Sequence, residues 1–289
     1  RGGGTGSDIG HGITVDNSGN VIITGEFSGT ATFGSQVLNS MNGSIDVFTV
    51  KYNSSGTVLW AKKGSAHLSD QGTDVDCDAT GNVFITGQFS DTITFDQVHL
   101  NTMLNAVFVV KYDPNGNEVW FRRIGGASFN FGNSITIDNN NKVLLAGDFS
   151  GTVTFFGTTN TNLSGLYSES IFLARYDNSG TLDWAQSDAS ETQVTARAVT
   201  SDASGNYFIG GLFKCRFTEY NDLYGASTFN SVGYWDIFAT KYNNAGTWQW
   251  SRQYGSKKDE NMGGIAISGV EVALAGSFEQ DLFVPALST

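Results

Sequence analysis

The sequence predicts an all-β protein, a β-propeller of four-stranded antiparallel blades. Three observations carry this. One pattern recurs nearly five times: ITVDNSGNVIITGEF, VDCDATGNVFITGQF, ITIDNNNKVLLAGDF, VTSDASGNYFIGGLF and the shortened IAISGVEVALAGSF. A second pattern runs between these copies: DVFTVKYNSSGTVLW, AVFVVKYDPNGNEVW, SIFLARYDNSGTLDW and DIFATKYNNAGTWQW. The landmarks within both keep rigid spacings. Self-similarity at a period of about 60 residues marks an array of one supersecondary unit.

The step from Phe48, Phe108, Phe172 and Phe238 to Trp60, Trp120, Trp184 and Trp250 is always 12 residues. From those tryptophans to Val75, Ile135, Val199 and Ile265 it is always 15. From Ile13, Val75, Ile135 and Val199 to Gly25, Gly87, Gly147 and Gly211 it is 12, and from Ile265 to Gly276 it is 11. Only the step from each of these glycines to the next Phe drifts: 23, 21, 25, then 27. Rigid spacing belongs to strands held in register; drift belongs to a surface loop.

Each rigid segment reads as a strand. ITVD opens a copy. Val21-Ile22-Ile23, Val83-Phe84-Ile85 and Val143-Leu144-Leu145 form a second strand, apolar at consecutive positions and so covered on both faces. Phe48-Thr49-Val50-Lys51-Tyr52 alternates, as a half-buried third strand does. The fourth carries the tryptophan. Asn17-Ser18-Gly19-Asn20 and Asn53-Ser54-Ser55-Gly56 are hairpin turns: Gly takes the positive-φ place, and Asp or Asn bonds nearby backbone. No stretch has a helical period. An open β-solenoid is the competing architecture, but its repeats are usually shorter. In a propeller the first strand lines the channel and the fourth lies at the rim.

The copies resemble the bacterial β-propeller repeat family, named for presumed seven-bladed propellers. The resemblance rests on Gly125-Gly126, the ITVDNSGNVIITG run, FSGTATFG (Phe27 to Gly34) and DVFTVKY followed by Trp60. It covers nearly the whole chain and implies secreted or surface-exposed bacterial proteins, with no catalytic motif to carry over. Copies four and five depart from the pattern: GLFKCRFTEY replaces the FSGTATFG type, and copy five stops before its third and fourth strands.

The expected organisation is a single propeller domain over 1–289. Its blades span about 10–63, 72–123, 132–187 and 194–253, with a half blade at 262–289. Arg1-Gly2-Gly3 reads as the tail of a fourth strand, so the chain is expected to be a fragment of a longer polypeptide. Five blades, the last incomplete, is the expected ring; a larger ring stays open.

A formal net charge of −12, from 28 acidic against 16 basic residues, disfavours nucleic-acid or anionic-membrane partners. No run of eighteen apolar residues could span a bilayer. The absence of an initiator Met and of a signal peptide fits a processed or truncated secreted chain. Abundant Asn, Ser, Thr and Gly suit an extracellular or cell-surface location. Cys77 aligns with Val15 and Ile137 and reads as a small core residue; Cys215 opens a variable loop. A mutual disulfide is not expected.

All length variation lies between the second and third strands, at residues 28–46, 90–106, 150–170 and 214–236. Binding sites concentrate on loops over a rigid scaffold, so this face is the expected one for a protein or glycan partner. Thr32-Phe33, Thr94-Phe95 and Thr154-Phe155 recur there, either as a sugar-stacking platform or as anchors folding the loop back. Tyr220, Tyr224, Phe229, Tyr234 and Trp235 crowd the fourth loop and break the repeat, which makes Tyr220, Tyr224, Tyr234 and Trp235 the candidate ligand residues. Lys51, Lys111, Arg175 and Lys241 precede a tyrosine and are expected to pair with carboxylates of neighbouring blades. Oxygen ligands from Asp8, Asp70 and Glu260, in line with Asn130 and Val194, could converge on a Ca2+ at the channel mouth. No other cofactor is expected. Glu26 and Asp148, after the strand glycine, are the only acid/base candidates for a glycosidase or lyase. His11, His67 and His99 show no ligand spacing. The expected function is a non-enzymatic binding module; a glycan-processing enzyme or a structural subunit of a surface assembly is the alternative.

Overall fold

The computed structural model describes residues 2–96, 98–101, 105–126, 128–157, 159–165, 169–218, 228–269 and 271–279, with no side-chain detail at 98–101 and 218. Those residues form antiparallel sheets and one turn of 3-10 helix at Met41–Gly43. None of the sheets closes on itself. No described helix is long and apolar enough to cross a membrane.

Copy one comprises Asp8–Val15, Val21–Ser28, Ile45–Tyr52 and Val58–Ala66; copy two comprises Gln71–Cys77, Val83–Phe89, Ala106–Tyr112 and Glu118–Gly126. Copy three comprises Asn130–Ile137, Val143–Phe149, Glu169–Tyr176 and Leu182–Ser190; copy four comprises Gln193–Ser201, Tyr207–Lys214, Asp236–Tyr242 and Trp248–Tyr254. Copy five shows Glu260–Ser268 and Glu271–Phe278. Within each copy the strands pair in chain order, as the repeat predicts. The turns also follow the prediction. Asp16 Oδ1 accepts from Ser18 N and Asn20 N, both at 2.9 Å, while Gly19 adopts φ 75°. Asn53 and Gly56 do the same in the next hairpin. In copy five Ser268 pairs directly with Glu271, a shorter turn that accounts for the step of 11.

The sheets stack face to face, which explains the consecutive apolar positions of the second strand. Val83 and Ile85 join Ile22, Val47 and Trp60 of copy one in one core cluster. Phe84, between them, points the other way, into a cluster with Val143, Leu145 and Phe172 of copy three. The same division recurs between copies three and four around Leu144, Leu173, Ile209 and Phe238. Fully burying such a side chain contributes about 1.5–3 kcal/mol, so every seam between copies is a core in its own right. The first strands of successive copies also pack side by side. Asp74 and Asp76 stitch two of them, accepting backbone N–H groups of Ile135 and Ile137 at 2.9 and 2.8 Å.

Every first strand carries a β-bulge, at His11, Thr73, Asn133, Arg197 and Gly263. A bulge re-aims the side chain of the extra residue. Beside it lies the recurrent glycine of the second strand. A Cβ on Gly87 would sit 1.9 Å from the Gln71 carbonyl oxygen and 2.8 Å from the Phe108 ring, so no other residue fits.

The variable loops hold an element that periodicity did not predict. Thr92–Phe95 and Val98–Asn101 form a hairpin that adds to the outer strand of the preceding copy, pairing Ile93 with Ala66 and Phe95 with Gly64. Thr152–Phe155 likewise pairs with Ile124–Gly126, and Arg216–Thr218 with Ala189 and Ser190. Gly2–Gly4 receives Ala31–Phe33 in the same register. Each loop therefore clasps its neighbour, extending three of the sheets to six strands. Phe33, Phe95 and Phe155 are buried anchors of these clasps and offer no stacking platform.

The cations depart from expectation. Lys51 is buried against Asp16 of its own copy at 2.9 Å; Arg175 and Lys241 likewise face Asp183 and Asp202 of theirs, at 3.0 and 3.9 Å. What reaches the neighbouring copy is a bond to a turn: Lys51 to the Gly81 carbonyl, Lys111 to Asn178 and Arg175 to Asn244. The reason is reach. From the third strand the long side chain crosses the seam to the neighbour's hairpin turn, while the carboxylate within reach belongs to its own copy: a turn residue for Lys51 and Lys241, and Asp183 of the fourth strand for Arg175.

Candidate functional site

A cleft of about 250 Å³ opens at the seam between copies three and four, on the face that carries the variable loops. Its walls are Phe129, Phe131, Phe149, Val194 and Trp235; its polar lining is Asp148, Ser150, Glu169 and Thr195. Two of these residues, Phe129 and Val194, replace polar residues of the other copies, and two, Phe131 and Trp235, stand at positions the copies do not share. Phe129 stands where the other copies have Ser7, Ser69, Gln193 and Asp259. Phe131 replaces Ile9, Gln71, Thr195 and Asn261, and Val194 replaces Asp8, Asp70, Asn130 and Glu260. Trp235 replaces Ile45, Asn105 and Glu169. Val194 is the position at which the supposed cation ring was incomplete. Without a carboxylate there, the seam becomes apolar and leaves room.

The aromatic wall is ordered by its supports. Phe129 and Phe131 lie parallel, with ring centroids 6.5 Å apart and planes 1° apart, and Phe129 is 65% exposed. Trp235 packs against Leu212, Ile237 and Met262 and keeps an edge in the cleft. Its carbonyl accepts Glu260 N at 2.9 Å, which fixes the strand start.

Asp148 forms the floor. It accepts Ala196 N at 2.7 Å and Thr195 Oγ1 and Asn133 Nδ2 at 2.8 Å. Burial pushes its carboxyl up to about 6 against the pull of those bonds. Glu26 has the equivalent place in copy one. It accepts Gln71 Nε2 at 2.7 Å and lies 3.6 Å from His11 Nε2. In each case a carboxylate after the strand glycine meets its own bulge residue and the next copy's first strand. Glu26 and Asp148 thus serve two separate seams and do not face one another as an acid/base pair. The second carboxylate of the cleft is Glu169.

The other candidate residues separate. Tyr234 is 57% exposed but does not line the cleft; Lys214 Nζ sits 3.4 Å above its ring. Tyr220 and Tyr224 lie outside the described residues. Asp8, Asp70 and Glu260 do not converge, and no three His, Cys, Asp or Glu among the described residues gather as metal ligands. Each stands at or just before the start of a different strand and bonds locally: Asp8 accepts Gly4 N, Asp70 accepts Ser90 N and Glu260 accepts Ser256 N. Both cysteines are free thiols, and burial pushes Cys77 up to about 11.

Asp70 is 1% exposed, its Oδ2 has no hydrogen-bond partner, and burial raises its carboxyl to about 8. The folded chain therefore holds this proton more tightly than the unfolded chain, whose carboxyl titrates at 3.8. That contribution is complete below the unfolded value and is lost as pH rises to about 8. Asn130 occupies the same place in copy three, so Asp70→Asn is sterically acceptable. The variant should melt about 2–4 °C above the parent at pH 8.5 and level with it at pH 4. Thermal melts across that range check this; parallel curves would show that Asp70 is ionised throughout.

No family model matches the chain. It is 27% identical over 238 residues to an uncharacterised WD repeat-containing protein of Acanthamoeba polyphaga mimivirus, covering 71% of this chain and 17% of that protein. It is 25% identical over 178 residues to the regulatory protein FlaEY of Caulobacter vibrioides, covering 60% of this chain and 18% of that protein. The chain therefore spans under a fifth of either relative. A solved protein of unknown function from Bacteroides caccae aligns over 84% of this chain and 81% of its own, with 8% identity and a TM-score of 0.38. The all-β sheets and the WD-repeat relative support a repeat, β-propeller-like architecture.

Proposed function

We propose that the chain is a non-enzymatic propeller module, extracellular or at a cell surface, that engages a partner protein through the cleft between copies three and four. One observation carries this: four apolar residues peculiar to copies three and four, at positions where the copies differ, meet in one cleft. Repetition explains side chains that hold the array together; it does not explain Phe129, Phe131, Val194 and Trp235. The WD repeat-containing relative is compatible with a protein-interaction role.

Closure into a ring, with five blades as the first expectation, belongs to the same reading. Ile13 is 67% exposed, whereas its equivalents Val75 and Ile135 are 3% exposed beneath the preceding copy. Copy one thus presents a free stacking face of the kind that another blade covers.

The test is binding to protein, peptide and glycan arrays by three chains: the parent, a Phe129→Ala/Trp235→Ala variant, and a Val119→Ala control on the opposite, fourth-strand side. The cleft variant should lose its partner at least tenfold and the control should retain it. Equal binding by all three would remove the cleft from the site. A second reading, a glycan-processing enzyme, has one observation behind it: Asp148 and Glu169 line the same cleft. Polysaccharide turnover abolished by Glu169→Gln would establish that reading in place of the first.

A further inference from the structure

We infer that the occupant of this cleft is a cationic side chain of the partner, an arginine in first place, inserted between the aromatic wall and the two carboxylates. The inference rests on the cleft being the binding site and adds what it binds.

The polar lining offers acceptors and almost no donors. Thr195 Oγ1 gives its proton to Asp148, and Ser150 Oγ donates to Ser128 Oγ at 2.6 Å. No lysine, arginine, histidine, asparagine or glutamine lines the cleft. A ligand must therefore bring its own hydrogens. The Glu169 carboxylate makes no hydrogen bond or ion pair with any described residue, so it stands ready for an incoming charge.

The aromatic rings point the same way. Elsewhere the chain sets its own cations against aromatic rings: Lys111 over Phe84 at 5.2 Å, Arg122 over Trp120 at 5.3 Å, Arg175 over Trp184 at 5.5 Å and Lys241 over Phe208 at 5.0 Å. Among the described residues, no cation lies over Phe129, Phe131 or Trp235. The aromatic wall of the cleft is thus open to a cation supplied by a partner. A ring face attracts a cation by about 0.5–2 kcal/mol, more as it is desolvated.

Size and field select further. About 250 Å³ admits one long side chain, not a strand or helix. A net charge of −12 draws basic segments and repels acidic ones. Arginine fits better than lysine, because a planar guanidinium can lie on a ring while its in-plane N–H groups meet carboxylates. A neutral sugar could also stack and donate, but it would leave the Glu169 charge uncompensated.

The experiment titrates the full chain with acetyl-diarginine amide, its lysine and citrulline counterparts, and neutral oligosaccharides, read by tryptophan fluorescence and calorimetry. Arginine should bind most tightly, lysine more weakly, and citrulline, similar in shape without the charge, at least about tenfold more weakly. Glu169→Gln should weaken arginine binding about fivefold or more with an unchanged melting temperature, and raised salt should weaken it in the parent. Equal binding of citrulline and arginine, or no effect of Glu169→Gln, overturns the cation. If Trp235→Ala still abolishes that binding, the cleft as site survives. A neutral oligosaccharide bound more tightly than arginine overturns the ligand class and keeps the cleft. No response to any probe, together with an array partner retained by the Phe129→Ala/Trp235→Ala chain, overturns both.

Discussion

Gly180→Ala is expected to cost about 2–4 kcal/mol, while Gly56→Ala costs only about 1 kcal/mol, although both glycines have the same place in their hairpins. Both adopt positive φ, 80° and 79°, so each alanine bears the same backbone strain. The difference lies across the seam. A Cβ on Gly180 would come within 2.9 Å of the Trp120 ring and of Arg122 Nη2, whereas one on Gly56 meets nothing within 4 Å. Trp120 cannot yield, because its Nε1 donates to the Asn178 carbonyl at 3.0 Å in the same turn. Gly116 under Trp60 and Gly246 under Trp184 repeat the arrangement. The recurrent tryptophan is thus the key that seats one copy's hairpin on the preceding copy. Urea unfolding with equal m-values measures the pair; equal losses at the two sites would show that the tryptophan contact adds nothing.

Asp16→Asn is expected to destabilise the chain by about 3–5 kcal/mol, because it strands a buried charge. The Lys51–Asp16 pair is nearly sealed, at 2% and 4% side-chain exposure. Burial pushes Asp16 up, but hydrogen bonds from Asn20 and Lys51 outweigh it and hold the carboxyl at about 2. Its stabilising effect is present above the unfolded value of 3.8 and is lost as pH falls through about 2. Asparagine keeps the turn, since Asn53 and Asn243 make the same backbone bonds in theirs. The loss therefore reports on the ion pair and on the bond from Asn20 Nδ2 to the same Oδ2, which Asn206 and Asp202 repeat in copy four. Asp202→Asn is the internal comparison: Lys241 is 25% exposed and 3.9 Å away, so that change should cost under about 1 kcal/mol. Lys51→Met added to Asp16→Asn should recover most of the loss, because no unpaired charge remains. Asp16→Asn within 1 kcal/mol of the parent would mean that Lys51 finds water instead.

The candidate site was half legible. Trp235 was visible because it breaks the fourth loop. Phe129, Phe131 and Val194 were visible by the same criterion but lie beside strand starts, outside the loops whose length varies. Counting back from Ile135 and Val199 and asking which copy departs from the others would have found them. Tyr234, next to Trp235 in sequence, does not line the cleft: both lie in the bend before the Asp236–Tyr242 strand, where no strand pattern fixes which way a side chain faces. The cation ring failed for a related reason: alignment in sequence places Asp8, Asp70 and Glu260 at one level of the array, not within reach of one another.

Strand order, hairpin turns and the two-faced second strand were determined by the sequence alone, because they follow from signals written into every copy: apolar patterning of each strand, a glycine at positive φ, an Asp or Asn closing its own turn, and rigid spacing that repeats. The clasp hairpins, the partners of Lys51 and Arg175, the seating of Trp120 on Gly180 and the meeting of Phe131 with Trp235 were decided only by tertiary structure. Each joins residues of different strands, and most join different copies, so the contact exists only once one sheet has stacked on the next and set which side chains share a seam.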